Sequence, residues 1–333
     1  MFSLLCADAH LGPRSGSVRK IPSHARNTLA GTVELWIPDR ADRHAVGALP
    51  EDVELHLIPK EGLSEALLEA EFLVPGSDEP CVIEALGRMP KLRVIQTLSA
   101  GVDWLLAAVP SGVRLCDARG TRDWPVAEWV LGAILASLKH FGEARDSQRA
   151  HDWRWHEPDE LAGKTVMILG YGSIGLTVER LLVASEAEVI RVARHARPGV
   201  HAVDELASLL GLADVVVVLL PLTAATKGLL DREMLGHMRD GALLVNVARG
   251  QIVDTEALLE QLQTGRIRAA LDVTEPEPLP VDHQLWDAPG LVITPHFAGD
   301  TRGAERRAFA LVGEQVRRYV RGEPLANVVD GDY

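Results

Sequence analysis

The stretch TVMILGYGSIG, residues 165–175, decides how the second half of this chain folds. A short apolar run reads as a buried strand, and glycines follow at positions 170, 172 and 175. Gly170 permits a tight turn, Gly172 lets a pyrophosphate approach the backbone, and Gly175 lets a helix pack closely on the strand. The helix that follows offers N–H groups and a partial positive charge to an anion. The pattern predicts a dinucleotide-binding unit.

The residues beyond this loop continue an alternation of strands and helices. Such an alternation predicts a parallel, doubly wound sheet with helices on both faces, here of six strands. Asp231 and Asp254 are predicted helix N-caps, and Gly265 is predicted just after a helix end. The predicted strands cover residues 165–169, 188–192, 214–220, 242–247, 268–273 and 291–295.

The first half of the chain predicts a second α/β domain with strands at 33–38, 53–59, 71–76, 92–98 and 113–118. A long helix is expected over 123–141, with Pro125 in its first turn. A final helix near 301–320 could fold back onto this domain and make it discontinuous. We therefore expect a substrate domain over 33–122 plus 301–333 and a dinucleotide domain over 123–300.

Composition limits the classes of partner. The chain has 333 residues, is 47% apolar and carries a formal net charge of −13. A strongly acidic chain repels phosphate backbones and anionic lipid, so we expect neither nucleic acid nor membrane as a partner. Three widely spaced cysteines, Cys6, Cys81 and Cys116, lack metal-ligand spacing. We expect reduced thiols, no metal site and a cytoplasmic location.

Residues 1–32 differ from the rest because one acid, Asp8, stands there against four basic residues. The segment lacks the apolar stretch of a secretory signal. We expect a poorly ordered N-terminal tail. A start codon placed too early and an organelle transit peptide are the alternatives.

The stretch VARHARPG, residues 192–199, lies where an acid usually binds the ribose hydroxyls of a dinucleotide. This chain has Ala193 at that point, followed by Arg194 and Arg197. Without a carboxylate nothing there repels a 2′-phosphate, and guanidinium groups suit phosphate geometry. The stretch predicts that NADP(H) is preferred over NAD(H). The alternative is that these arginines are ordinary solvated surface.

Three polar residues follow apolar strands of the second domain: Arg249, Glu277 and His296. An arginine can bind a substrate carboxylate with two parallel hydrogen bonds. A histidine can exchange a proton with a carbonyl or hydroxyl oxygen, and a neighbouring carboxylate favours its protonated form. The set suits reduction of an α-keto acid. Glu275 competes with Glu277 as the acid, and each residue alone could serve a structural role.

Taken together, GYGSIG, LLPLTAATKGLL, NVARGQIVD, ALDVTEPEPLP, TPHFAG and TLSAGVD (97–103) resemble the D-isomer-specific 2-hydroxyacid dehydrogenases. The resemblance covers nearly everything from residue 33 onward. It implies a flavodoxin-like substrate domain built from both chain ends, with the nucleotide domain inserted into it. It also implies a homodimer formed largely by the nucleotide domains and the helix near 124–141.

Carried over by position, the resemblance makes Arg249, Glu277 and His296 the catalytic set and favours Glu277 over Glu275. It implies that Asp272 meets the nicotinamide carboxamide. The implied substrate contacts, mostly backbone N–H groups, are Val74, Gly76, Ser99, Ala100, Gly101 and Val102. The implied cofactor contacts, beside the three glycines and the basic stretch, are Ser173, Ile174, Pro221, Thr226, Val247, Ala248 and Gly299.

The departures from the family pattern refine the prediction. Many NAD-dependent members have Asp at the position of Ala193, and the basic stretch here is similar to that of NADPH-using glyoxylate/hydroxypyruvate reductases. The resemblance therefore implies a small 2-keto or 2-hydroxy acid as substrate. Trp104 either narrows the substrate pocket or belongs to the core. A nucleotide-sensing dimeric binding module, similar to corepressors related to the family, is the alternative function.

Overall fold

The computed structural model describes residues 31–59, 63–76 and 80–330. The tail predicted over 1–32 lies outside the described residues, apart from its last two positions. Among the described residues, no helix is both long and apolar enough to span a bilayer.

The first sheet has five strands, and every ladder in it is parallel. The strands are β1 (Val33–Ile37), β2 (Val53–Leu57), β3 (Phe72–Leu73), β4 (Val94–Gln96) and β5 (Arg114–Cys116). Their order, β2-β1-β3-β4-β5, is the flavodoxin-like order. All five predicted strands are present. The third is only two residues long, because Pro75 lacks the N–H group that would extend the ladder.

The second sheet has seven parallel strands rather than the predicted six. The missed strand is His201–Ala202, which has no apolar run to mark it and pairs with the strand that ends at Ala193. The strands are β6 (Thr165–Leu169), β7 (Glu188–Ala193), β8 (His201–Ala202), β9 (Val215–Val218), β10 (Leu243–Asn246), β11 (Arg268–Leu271) and β12 (Leu291–Ile293). Their order is β12-β11-β10-β9-β6-β7-β8. Strands β6 to β8 therefore extend the sheet to one side and β9 to β12 extend it to the other, so the strand order reverses between β6 and β9.

The two helices with predicted bounds, 123–141 and 301–320, are both present. The long helix ends at Leu138 instead of 141, because His140 takes a left-handed conformation with φ of 53°. Asp231 and Asp254 are N-caps, and Gly265 has φ of 67° after a helix end, as predicted. The helices are α1 (Pro80–Glu84), α2 (Asp123–Leu138), α3 (Phe141–Ala150), α4 (Ser173–Ala184), α5 (Leu206–Leu210), α6 (Arg232–His237), α7 (Thr255–Gln263) and α8 (Arg302–Val320).

The last helix packs on the first sheet although it follows the second sheet in sequence. Phe309 of α8 belongs to the same buried cluster as Leu35 of β1. The buried Gln315 of α8 donates to the side-chain oxygen of Gln96 at 2.9 Å. The chain therefore crosses between the sheets twice, and the unit built on the second sheet is inserted into the first. The predicted fold class is confirmed, and the predicted residue boundaries of the domains stay predictions.

Both faces of the second sheet are covered. One face meets α2 and α4 through residues such as Ile134 and Leu182, and the other meets α6 and α7 through Leu235 and Leu258. Burial on both faces accounts for the unbroken apolar runs of the central strands, where Val215–Val218 is buried throughout. The polar side chains of the candidate site therefore lie in the loops that follow these strands.

Gly313 places α8 directly against the backbone at Val46. A β-carbon at Gly313 would lie 1.9 Å from the carbonyl oxygen of Val46. We expect Gly313→Ala to lower the free energy of unfolding by about 1–3 kcal/mol in urea denaturation, since the helix must shift. Gly303→Ala in the same helix is the control, because its nearest neighbours are side-chain atoms at 3.3 and 3.9 Å. Equal stability of Gly313→Ala and the unmodified protein would contradict this packing.

Candidate functional site

Three neighbouring strands carry the three predicted catalytic residues in the loops that follow them. Arg249 follows β10, Glu277 follows β11 and His296 follows β12. Because these strands are parallel, their carboxyl ends meet at one edge of the sheet. A β-carbon at Gly250 would lie 2.0 Å from the carbonyl oxygen of Thr274, so the first two loops touch.

His296 and Glu277 form a hydrogen-bonded pair. Nδ1 of His296 lies 2.6 Å from Oε1 of Glu277. An ionised carboxylate only accepts, so Nδ1 donates and Nε2 is the second position for proton exchange. Sequence reasoning left Glu275 as a competitor. The carboxylate of this pair belongs to Glu277, whereas the backbone carbonyl of Glu275 accepts a hydrogen bond from Thr255.

Asp272 holds the loop that carries His296. Its side chain is 2% exposed and accepts hydrogen bonds from the hydroxyl of Thr294 and the amides of Phe297 and Ala298, at 2.5, 3.0 and 2.9 Å. These bonds fix a turn in which His296 takes a left-handed conformation with φ of 54°. Both carboxylate oxygens thus serve the loop, and the predicted contact with nicotinamide stays a prediction.

Arg249 reaches across to the 97–103 segment, which follows β4 of the other sheet. Its Nε lies 3.1 Å from each carboxylate oxygen of Asp103, and its Nη2 lies 2.8 Å from Oδ1. Nη1 donates to the carbonyl oxygen of Ala248 at 2.7 Å. A β-carbon at Gly101 would lie 1.8 Å from Nη2, so the guanidinium rests on the backbone there. Asp103 is the last residue of the motif TLSAGVD, and no role for it was predicted from the sequence.

Side chains within the 97–103 segment brace its turn. The hydroxyl of Thr97 donates to the carbonyl of Ser99 at 2.7 Å, and the hydroxyl of Ser99 donates to that of Gly101 at 2.9 Å. Trp104 donates its ring N–H to Gly101 at 3.1 Å and packs against the core beneath the first sheet. Trp104 therefore supports the segment. The other predicted substrate residues are buried or half-buried: Val74, Gly76, Ala100 and Val102.

The phosphate loop has the shape that its glycines predicted. Gly170 has φ of 111°, and a β-carbon there would lie 2.6 Å from the backbone of Leu219. A β-carbon at Gly175 would lie 2.8 Å from the carbonyl oxygen of Gly170. Gly172 is the N-cap of α4, and apart from its two chain neighbours no residue of the described chain comes within 4 Å of its β-carbon position. The loop is close-packed on the strand side and open at the helix N-terminus, which suits an anion.

A carboxylate that sequence reasoning missed lies beside this loop. The hydroxyl of Ser173 donates to Oδ1 of Asp123 at 3.2 Å. Burial raises the pKa of Asp123, and its hydrogen bonds with Ser173 and the backbone of Gly120 oppose this effect. The contact joins the first turn of α2, at the crossing between the sheets, to the phosphate loop. Ile174 packs into the core between α2 and the second sheet.

The remaining predicted cofactor residues lie in braced turns. The hydroxyl of Thr226 donates to the carbonyl of Pro221 at 2.6 Å. Asn246, 1% exposed, accepts from the amide of Ala248 and donates to the carbonyl of Arg249, both at 3.0 Å. Asn246 therefore fixes the turn that contains Val247. The signal in the sequence was a polar residue, Asn246, at the end of an otherwise apolar strand. It was not used in the prediction.

Gly299 lies against the side chain of Arg122, which bridges the two crossings between the sheets. A β-carbon at Gly299 would lie 3.2 Å from Cδ of Arg122. Arg122 pairs with Asp300 and donates to the carbonyl of Leu98 at 3.4 Å. One guanidinium thus connects the loop after β12 to the 97–103 segment.

The basic stretch lies beside the phosphate loop. Ala193 ends β7 and is 8% exposed, whereas Arg194 and Arg197 are exposed. Arg197 donates through Nη2 to the carbonyl of Tyr171 at 2.7 Å and lies 5.7 Å from the centre of its ring. Arg191 also contacts this ring but is paired with Glu179. Arg197 is therefore both exposed and anchored to the loop.

A cavity of about 340 Å³ adjoins the His296–Glu277 pair, with Leu279, Trp286 and Ile293 in its wall. Its size falls within the range of small-molecule sites. Among the described residues, the one group of potential metal ligands is Glu34, Glu54 and His56, on β1 and β2. The prediction that no metal is bound stays a prediction.

Comparisons with known proteins give a consistent result. Residues 131–298 match the family model described as "D-isomer specific 2-hydroxyacid dehydrogenase, NAD binding domain". The chain is 32% identical to a D-3-phosphoglycerate dehydrogenase of Methanocaldococcus jannaschii, over 90% of this chain and 59% of that protein. The chain therefore spans only about three fifths of that relative's length.

Two solved structures are similar in fold over 90% of this chain and 98% of theirs. One is a D-isomer specific 2-hydroxyacid dehydrogenase of Xanthobacter autotrophicus Py2 in complex with NADPH and MES, with 29% identity and a TM-score of 0.77. The other is an NADPH-dependent glyoxylate/hydroxypyruvate reductase of Sinorhizobium meliloti in complex with NADP and sulfate, also with 29% identity and a TM-score of 0.77.

Proposed function

Because this chain belongs to the D-isomer specific 2-hydroxyacid dehydrogenase family, we propose that it transfers hydride between NADP(H) and a small 2-keto or 2-hydroxy acid. The observation that carries the proposal is the 2.6 Å bond between His296 and Glu277, on loops next to the one that holds Arg249. This arrangement offers a proton donor and an anion-binding group at one sheet edge.

Each catalytic residue has a role that follows from its chemistry. The guanidinium of Arg249 binds the substrate carboxylate. His296 gives a proton from Nε2 to the carbonyl oxygen in reduction and takes it from the hydroxyl in oxidation. Glu277 holds the ring in place by accepting a hydrogen bond from Nδ1. A bound nicotinamide cofactor would supply the hydride to the carbonyl carbon in reduction, and would take it from the carbon that bears the hydroxyl in oxidation.

The chain's own residues fit a dinucleotide. The opening at Gly172 and the N-terminus of α4, with Ser173 and Ile174, would hold the pyrophosphate. The turns that contain Pro221, Thr226, Val247, Ala248, Asp272 and Gly299 would bind the rest of the cofactor.

Preference for NADP(H) is supported by charge at the end of β7. Ala193 provides no carboxylate to bind ribose hydroxyls or repel a 2′-phosphate. Arg197 is anchored to the carbonyl of Tyr171 within the phosphate loop and is exposed to solvent. Arg194 follows directly in the chain and is also exposed. The two guanidiniums suit phosphate recognition.

A glyoxylate-like or hydroxypyruvate-like substrate is supported by the similarity to the S. meliloti reductase. The similarity to D-3-phosphoglycerate dehydrogenases points to a phosphorylated alternative. Residues 96–103 contain no lysine or arginine that could bind a substrate phosphate. We therefore place the small, unphosphorylated keto acids first.

A matrix of substrates and cofactors tests this function. We expect the highest kcat/KM for glyoxylate or hydroxypyruvate with NADPH, and a lower value for 3-phosphohydroxypyruvate or for NADH. His296→Gln should lower kcat by about 10²- to 10⁴-fold while NADPH still binds, since only the proton transfer is lost. His237→Gln, an exposed histidine of α6, is the matched control. The readout is NADPH absorbance.

Two outcomes would contradict the proposal. Unchanged turnover in His296→Gln would remove the assigned acid–base role. Tight NADPH binding without turnover of any keto acid would favour the nucleotide-sensing module instead.

The cofactor preference has its own variant. Arg197→Gln removes a charge-assisted contact with the 2′-phosphate, so we expect the KM for NADPH to rise about tenfold or more and the KM for NADH to stay constant. Arg145→Gln, on the exposed helix α3, controls for the loss of one positive charge. A wild-type preference for NADH, or equal effects on both cofactors, would reject the assignment.

A homodimer is also part of the proposal, supported by aromatic exposure after α2. Phe141, Trp153 and Trp155 are 62%, 101% and 75% exposed. Light scattering should give twice the 36.1 kDa chain mass. Changing both tryptophans to Ser should give monomers, whereas Val281→Ser, at a residue 98% exposed, should not. A monomeric wild type would contradict this interface.

We place the protein in the cytoplasm. Cys81 and Cys116, the cysteines that the described ranges contain, are both free thiols. Free thiols are typical of a reducing compartment. Burial raises the pKa of Cys116 to about 12, which keeps this thiol protonated and unreactive.

A further inference from the structure

The ion pair between Asp103 and Arg249 joins the two parts of the molecule beside the proposed substrate site. Asp103 follows β4 of the first sheet, and Arg249 follows β10 of the second. We propose that Asp103 is a positioning residue that turns the terminal edge of the Arg249 guanidinium toward the substrate carboxylate. This inference rests on the proposed function, because it names what presents the carboxylate-binding group.

The hydrogen bonds divide the guanidinium into two edges. One edge, here called the lateral edge, consists of the N–H groups of Nε and Nη2 that point the same way, and both donate to the Asp103 carboxylate. The other, the terminal edge, lies between Nη1 and Nη2. Nη1 gives one hydrogen to the carbonyl of Ala248. Within the described chain these contacts use three of the five N–H groups of an arginine. The two that remain are one on Nη1 and one on Nη2, and a carboxylate can accept from two guanidinium N–H groups at once.

Gly101 holds the same guanidinium by close packing. The 1.8 Å separation between its β-carbon position and Nη2 leaves room only for glycine. The backbone of Gly101 is itself held by Ser99 and Trp104. The plane of the guanidinium is therefore fixed by packing, and its rotation within that plane is fixed by Asp103.

The pair is partly shielded from water, which makes its orienting effect larger than that of a surface pair. The side chains of Arg249 and Asp103 are 25% and 20% exposed. An exposed pair in high dielectric contributes little, whereas a partly buried, bidentate pair restricts geometry. Holding a binding group in a productive orientation before the substrate arrives lowers the entropy cost of binding.

Asp103 could act in the opposite sense, as an internal competitor that occupies the arginine in place of substrate. The two actions differ in sign. A competitor, when removed, leaves the arginine more available and lowers the KM for the keto acid. A positioning residue, when removed, lets the guanidinium rotate and raises that KM. The geometry favours positioning, because Asp103 occupies the lateral edge only.

Asp103→Asn tests the inference because it keeps the shape and removes the charge. We expect the KM for glyoxylate to rise about tenfold or more and kcat to fall less, since a charged hydrogen bond that orients the substrate group is lost. The Kd of NADPH should stay constant. The Kd of oxamate, an unreactive keto-acid analogue, should rise in parallel with KM, and thermal unfolding should verify that the variant folds.

Two further variants complete the design. Gly101→Ala displaces the guanidinium with Asp103 intact and should also raise KM, and its effect should combine less than additively with Asp103→Asn. Asp240→Asn, at a side chain 89% exposed, controls for the lost charge. Gly87→Ala, with no atom of the described chain within 4 Å of its β-carbon, controls for the added methyl group.

The outcomes separate the two proposals. Wild-type protein that neither turns over keto acids nor binds oxamate would overturn the proposed function and this inference with it. Wild-type binding with an unchanged or lower KM and Kd in Asp103→Asn would overturn this inference alone. A fall in kcat and thermal stability without a change in KM would also overturn it, because that result describes a purely structural contact.

Discussion

The parallel direction of β10, β11 and β12 is the constraint on which the rest of the site depends. Parallel strands end at the same edge, so loops distant in sequence become neighbours. Arg249, Glu277 and His296 therefore follow neighbouring strands at one sheet edge, although Arg249 and His296 are 47 positions apart in the sequence. The strands themselves are buried, so the polar side chains of the site lie in the loops that follow them. The strand order reverses between β6 and β9, and a crevice is expected at the sheet edge at that point.

Three polar side chains hold the loops and side chains of the candidate site in fixed orientations. Asp272 fixes the histidine loop, Asn246 fixes the arginine turn, and Asp103 fixes the guanidinium itself. Each of these three side chains accepts hydrogen bonds through a carboxylate or amide oxygen. These bonds hold Arg249 and the loop of His296 in place. In an acidic protein with net charge −13, Arg249 and Arg197 are the cationic side chains proposed to meet the anionic ligands.

The sequence pattern predicted most of the fold, because buried parallel strands appear as unbroken apolar runs. The phosphate loop was predictable because its turn and its close packing require glycine at fixed positions. The prediction failed at β8, whose two residues carry no pattern, and at His140, where a left-handed residue ends α2 early. The sequence pointed to Arg249, Glu277 and His296 as polar residues after strands. It could not pair Asp103 with Arg249, because 146 residues separate them and only the tertiary fold brings them within 2.8 Å.

The most direct measurement is a crystal structure of the protein with NADPH and oxamate. We expect the oxamate carboxylate to accept hydrogen bonds from Nη1 and Nη2 of Arg249 while Asp103 stays bound to Nε and Nη2. We also expect Nε2 of His296 to lie within hydrogen-bond distance of the oxygen that mimics the keto group. Oxamate bound away from Arg249, or with His296 turned from it, would rule out the proposed site.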